Sequence, residues 1–197
     1  AAESNMAIPE EPIVFFKATS AISGPFDPIE IPRGATKTDW ELELAVVIGK
    51  EAKYVTVEDA LSYVAGYCIA NDVSERDFQL RRSGQCVKGK SADTFGPIGQ
   101  WLVTRDEIPN PQTLGMTLDV NDVRFQNGST QTMHFTVAEV VSHLSQFMSL
   151  QPGDVISTGP PPGVGMGQKP EVYLKAGDHL VLKIEGLGEQ RYDVVQG

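Results

Sequence analysis

The chain has 197 residues, 41% of them apolar and 21% charged, the profile of one folded domain with room for a real core. Its formal net charge of −10 and isoelectric point near 4.7 argue against a nucleic-acid backbone or an anionic membrane as partner. No stretch reaches the roughly 18 apolar residues of a transmembrane helix, and the opening AAESNMAIPEEP lacks the basic-then-apolar layout of a signal peptide. The expectation is a cytoplasmic protein in which Cys68 and Cys86, outside any CxxC or Cys/His spacing, are reduced thiols; their separation alone leaves a bridge open. An acidic protein that handles an acidic metabolite needs a local positive centre, such as a metal.

In chain order, the first forty residues are rich in Pro, Gly and Asp around one short predicted strand, IVFFKA. DWELELAVVIGK then alternates Glu41 and Glu43 against Leu42 and Leu44, before an unbroken apolar run that predicts a strand covered on both sides. TVEDALSYVAGY reads as a helix with Thr56 as N-cap and Glu58 and Asp59 in its first turn. GYCIANDVS reads as a second strand, SERDFQLRRSG as a helix ended by Gly84, and CVKGKSADTFGPIGQ as a Gly-rich loop before the strand WLVTRDEI.

LGMTLDVNDVRFQNGST alternates around VNDVR and predicts a hairpin. In TVAEVVSHLSQFMSL, helical spacing puts Val137, Val140, Val141, Leu144, Phe147 and Met148 on one face. A short strand in QPGDVISTG, the Pro/Gly loop PPPGVGMGQKP and a final strand pair in DHLVLKIEGLGEQRYDVV complete the chain. Strands outnumber helices with no βαβ repeat, so the expected class is α+β, mainly β: a mixed roll or sandwich with a few short helices, residues 1–197 forming one domain.

Two strand rises separate the Cα atoms of Glu41 and Glu43 by about 6.6 Å, close enough for both carboxylates to converge on one ion. Buried without a partner, they would repel and raise each other's pKa or recruit a cation; on an exposed strand face they would need neither. Asp72 ends an apolar run, which places it at the mouth of a core strand, though Asp is also a common turn residue. Three hard oxygen donors without His or Cys suit Mg²⁺ or Mn²⁺ and not zinc. His134, expected in a strand, His143 on the helix and His179 after a turn are scattered, as structural or exposed histidines would be. Lys88 and Lys90 lie in a Gly-rich stretch without P-loop spacing, where a lysine could hold a carboxylate or an enolate oxygen.

In this order, FFKATSAI, TDWELELAVVIGK, GYCIANDVSERD, KGKSADTFGPIG, QTMHFTVAEVVSHLS, LQPGDVISTG and PPGVGMG resemble the fumarylacetoacetate hydrolase family across nearly the whole chain. The nearest wording is that of its 2,4-diketo-3-deoxy-sugar-acid hydrolase branch, which often carries the ureidoglycolate lyase label. The resemblance implies the C-terminal catalytic fold of that family, a mixed β-sandwich roll. It also implies a homodimer, one Mg²⁺ or Mn²⁺ held by Glu41, Glu43 and Asp72, and a substrate pocket lined by Arg76, Gln79, Lys90 and Thr158.

Its substrates are small 2-oxo acids, cleaved at a C–C bond, decarboxylated or isomerised, with Lys90 stabilising the departing pyruvate enolate. Two departures stand out. Thr158, Gly159, Pro160 and Pro161 replace a Thr-Gly-Thr-Pro pattern, which removes a hydroxyl. AAES resembles the continuation of an Asp-His-Ala-Ala-Glu lid stretch, so Glu3 would be the catalytic lid glutamate; either its histidine precedes residue 1 in a longer protein, or the chain lacks half of that dyad. The rival readings are a decarboxylase or isomerase of the same family, a structural metal site, and a non-catalytic binding module with both glutamates exposed.

Overall fold

The computed structural model describes residues 8–197. β1 (Ile22–Ser23), β2 (Ile29–Ile31) and β3 (Thr38–Asp39) lead into β4 (Leu42–Ile48). After α1 (Val57–Ala60) come β5 (Val64–Asn71), β6 (Ser74–Glu75), a wide helical turn at Asp77–Arg81, α2 (Cys86–Lys90), β7 (Gly96–Pro97) and β8 (Val103–Thr104). β9 (Gly115–Val120), β10 (Val123–Ser129), α3 (Val137–Ser145), β11 (Val155–Ser157), β12 (His179–Ile184) and β13 (Gly188–Gln196) follow. This is the mainly-β α+β architecture that the sequence predicts.

Two sheets carry the fold. One has the order β10-β9-β12-β13-β2, antiparallel except for the parallel β13–β2 pair, and the other is the antiparallel β11-β4-β5-β8. β5 packs against β12 and β13, and β4 against β9, so the sheets share one core. Into it point Leu42, Leu44 and Val46 of β4, Leu118 of β9, Leu182 of β12 and Tyr192 of β13. Val137, Val141 and Leu144 of α3 close one side of that core. Ala45, Cys68 and Ala70 form a separate small cluster with Val47 and Ile98 on the opposite face of the β4–β5 pair. The unbroken apolar run of β4 is therefore covered on both faces, as a doubly buried strand requires. That second face also carries Glu41 and Glu43.

Local sequence signals account for several boundaries. The Thr56 hydroxyl accepts from the Asp59 N–H, and α3 opens on a full capping box between Thr136 and Glu139. Asn121 and Asp122, with φ of 49° and 62°, make the two-residue β9–β10 turn, whose primed geometry suits the twist of the flanking strands. Elsewhere tertiary packing overrides local pattern. IVFFKA is extended coil without a ladder partner, and the predicted helix over 56–67 stops at Tyr63 because residues from Val64 onward pair with β4 and β8. The stretch 86–100 opens as α2 rather than loop, only Val103–Thr104 of WLVTRDEI is strand, and His134 lies in a bend. α3 ends at Ser145, so Phe147 escapes the predicted stripe and is 67% exposed. Among the described residues both cysteines are free, and no helix is long and apolar enough to cross a membrane.

Candidate active site

Strand register assembles the acids. β4 and β5 pair Leu42 with Asn71, and the next step brings the Asp72 N–H to the Glu41 carbonyl at 2.8 Å. Glu41, Glu43 and Asp72 thus lie at the end of one ladder, on the face turned away from the main core. One carboxylate oxygen from each lies within 4.8 Å of the other two, and all three residues are buried. The exposed-face reading of the two glutamates is excluded by that burial.

Cations surround the cluster. Lys90 Nζ, delivered by α2, bridges Glu41 Oε2 at 2.6 Å and Asp72 Oδ2 at 2.5 Å. Lys17 Nζ takes the other Asp72 oxygen at 2.6 Å, and Arg76 Nη2 takes Glu41 Oε1 at 2.7 Å. Gly159 donates its N–H to Glu43 Oε2 at 2.8 Å, from the loop after β11. Gln79 accepts from Arg76 Nη1 at 3.1 Å. The Thr158 hydroxyl donates to the Leu44 carbonyl, which ties its loop to β4. Lys88 turns away and caps the Arg82 carbonyl. Glu3 lies outside the described residues.

Charge and burial set the proton affinities. Burial alone would raise the Glu41 carboxyl, but Lys90 and then Arg76 outweigh it and bring it down to about 2. Burial also disfavours the Lys90 ammonium, yet Glu41, Asp72 and Glu43 together hold it above the usual lysine range. Glu43 is the exception: burial, then the charges of Asp72 and Glu41, push its carboxyl well up. Counting Asp39, which binds Arg76, four buried carboxylates face three cations, Lys17, Arg76 and Lys90. One carboxylate, Glu43, is left without a balancing cation, and burial and its neighbours' charges drive it toward the protonated form. A buried set of hard oxygen donors with one carboxylate more than its cations is what a divalent cation needs, and with an ion held by Glu41, Glu43 and Asp72 the site would turn net positive.

The sequence profile Fumarylacetoacetate (FAA) hydrolase C-terminal matches residues 1–195. The chain belongs to the fumarylacetoacetate hydrolase family. A Burkholderia multivorans protein, named no more finely than as a hydrolase, is 63% identical over 191 residues, which are 96% of this chain and 68% of that protein. The 2-hydroxyhepta-2,4-diene-1,7-dioate isomerase of Mycobacterium marinum superposes with a TM-score of 0.87 at 39% identity, over 95% of this chain and 70% of that one. The maleylpyruvate hydrolase of Sphingobium sp. SYK-6, solved with manganese(II) and pyruvate, gives a TM-score of 0.82 at 38% identity, over 93% and 64% of the two chains. This chain is accordingly an enzyme of a hydrolase and isomerase family, and one solved relative holds a divalent metal.

Within this fumarylacetoacetate hydrolase fold, sequence reasoning missed three neighbours of the acids. Lys17 belongs to FFKATSAI, read only as a strand and a family marker. Phe15, two residues earlier, lays its ring 5.0 Å from Lys90 Nζ. Asp39, the first residue of DWELELAVVIGK, is fully buried and binds Arg76. A cavity of about 460 Å³ lies between Pro9–Val14 and His143, Phe147 and Met148, and its lining includes none of Glu41, Glu43 and Asp72.

Proposed function

We propose that the chain is the catalytic part of a divalent-metal-dependent C–C hydrolase, which cleaves a 2,4-dioxo acid such as an acylpyruvate to pyruvate and a second carboxylic acid. The observation that carries this reading is the buried convergence of Glu41, Glu43 and Asp72 with the Lys90 ammonium bridging two of them. Glu41, Glu43 and Asp72 would hold Mg²⁺ or Mn²⁺. Bound there, the ion supplies Lewis-acid polarisation of a 2-oxo acid.

The chain's own residues supply the rest. Lys90, kept charged by its carboxylates, offers a positive donor to the oxygen of the departing pyruvate enolate. Phe15 covers that ammonium and keeps water from it. Arg76 and Gln79 form the polar wall beside Glu41, and Thr158 fixes the loop that brings Gly159 to Glu43. Glu3 would serve, as the family resemblance implies, as the lid glutamate that orients a general base for the attacking water. Support for hydrolysis comes from the maleylpyruvate hydrolase likeness. The isomerase likeness favours a second reading, in which the same site stabilises an enolate without hydrolysis and serves isomerisation or decarboxylation.

Product analysis separates the two. With 2,4-dioxopentanoate and Mg²⁺ the hydrolase reading predicts pyruvate and acetate in equal amounts. Pyruvate from oxaloacetate, with the dioxo acid untouched, would replace it by decarboxylation. The metal itself has a simpler signature. A ligand at 100 times its Kd stabilises the native state by about 2.7 kcal/mol, so saturating Mn²⁺ should raise Tm by roughly 5 to 10 °C in differential scanning fluorimetry. An unchanged Tm would argue against the site.

A further inference from the structure

Among the described residues, the Asp39 carboxylate accepts from four donors, none of them on a proposed metal ligand. Its Oδ1 accepts from the Trp40 N–H at 2.8 Å and the Gly165 N–H at 2.6 Å. Its Oδ2 accepts from the Met166 N–H at 3.0 Å and from Arg76 Nε at 2.8 Å, with Arg76 Nη2 also 2.8 Å away. A fully buried carboxylate with this many donors is fixed in orientation by its neighbours.

Two units of the site meet on it. The first is Arg76, only 4% exposed: pinned along its Nε edge by Asp39, it turns its outer nitrogens to Glu41 and Gln79. The second is the Pro/Gly loop, held at Gly165 and Met166 by Asp39 and at the Gly163 carbonyl by the Trp40 indole N–H. The fit at Gly165 is close, since a Cβ there would sit 2.0 Å from the Val172 carbonyl oxygen and 2.7 Å from Asp39 Oδ1. The same loop, six residues earlier, gives Gly159 to Glu43.

We infer that Asp39 is a positioning residue for the proposed metal centre: by anchoring Arg76 and the loop together, it fixes the orientation of the Glu41 and Glu43 carboxylates. The inference rests on the functional reading above. Asp39→Asn keeps the shape and an acceptor for the Trp40 and Gly165 N–H groups, but sets an amide nitrogen against Arg76 and the Met166 N–H in place of a charged oxygen. Mutation of groups that orient metal ligands costs 10- to 100-fold in metal affinity or activity.

The test is a Mn²⁺ titration of the full chain followed by electron paramagnetic resonance, with far-ultraviolet circular dichroism as the folding control. Asp39→Asn should bind Mn²⁺ at least about 10-fold more weakly with an unchanged fold. Arg76→Lys, which leaves Asp39 and the loop in place, should weaken binding likewise, and the double variant should lose little more than the worse single one. Wild-type affinity in Asp39→Asn, losses that multiply in the double variant, or wild-type affinity in Arg76→Lys should Asp39→Asn not fold, would overturn the inference. Because the readout is metal affinity, a wild-type protein that binds Mn²⁺ but releases no pyruvate sinks the hydrolase reading alone. One that binds no Mn²⁺ sinks both.

Discussion

Glu43→Gln should abolish Mn²⁺ binding and turnover together while leaving the protein folded. Glu43 is the carboxyl of the cluster without a balancing cation, and burial and the charges of Asp72 and Glu41 all raise its proton affinity. Its one hydrogen bond in the cluster, from the Gly159 N–H to Oε2, can be accepted by an amide oxygen. The substitution therefore removes repulsion rather than a needed ion pair, and in EDTA the variant should melt at or above the wild-type temperature. With metal the order reverses, because the variant gains no stabilisation from Mn²⁺. Turnover should fall by at least about 100-fold, beyond the range typical of outer-shell changes. Pyruvate release surviving this substitution would mean that the carboxylates are not the metal site.

Lys90→Met should split what Glu43→Gln joins. The three carboxylates remain, so Mn²⁺ still binds, but the donor for the enolate oxygen is gone and turnover should drop by roughly 100- to 1000-fold, as for loss of an oxyanion donor. Without metal the variant leaves Glu41 Oε2 and Asp72 Oδ2 unmatched in a buried site. Removing one partner of a buried ion pair costs about 3 to 5 kcal/mol, so urea denaturation in EDTA should show a marked loss that Mn²⁺ reverses. A Lys90→Met protein with normal turnover would confine the lysine to a structural role.

The two variants also show which parts of the site were legible in the sequence. The shared face of Glu41 and Glu43 follows from the period of two, while Asp72 reads equally well as a turn residue and only the family resemblance joins the three. The caps of α1 and α3 and the β9–β10 turn are equally local signals. Lys17 and Asp39 were not legible, since their partners Asp72 and Arg76 lie 55 and 37 residues away. β-propensity misreads IVFFKA, which runs as extended coil and sets Phe15 against Lys90 and Lys17 on Asp72 instead of joining a sheet. Gly89 misleads in another way. It sits in helix α2, where a Cβ would come within 2.5 Å of Gln79 Cβ and 2.7 Å of the Glu75 carbonyl oxygen. There glycine marks close packing against the neighbouring turn, which aims Lys90 inward, and not a flexible loop.

The reading of Arg76 gains detail in the same way. Its motif suggested a residue lining the substrate pocket, and the folded chain commits most of its donors to Asp39, Glu41 and Gln79. Its positive charge still adds to the field of the site, but direct contact with substrate would fall mainly to Lys90.

The most direct test of the account follows pyruvate release from 2,4-dioxopentanoate while Mn²⁺ occupancy is titrated on the metal-stripped protein. The account predicts one ion per chain, no release in EDTA, and a rate that rises in proportion to occupancy. Release that persists in EDTA, or a filled site that leaves the substrate untouched, would contradict it.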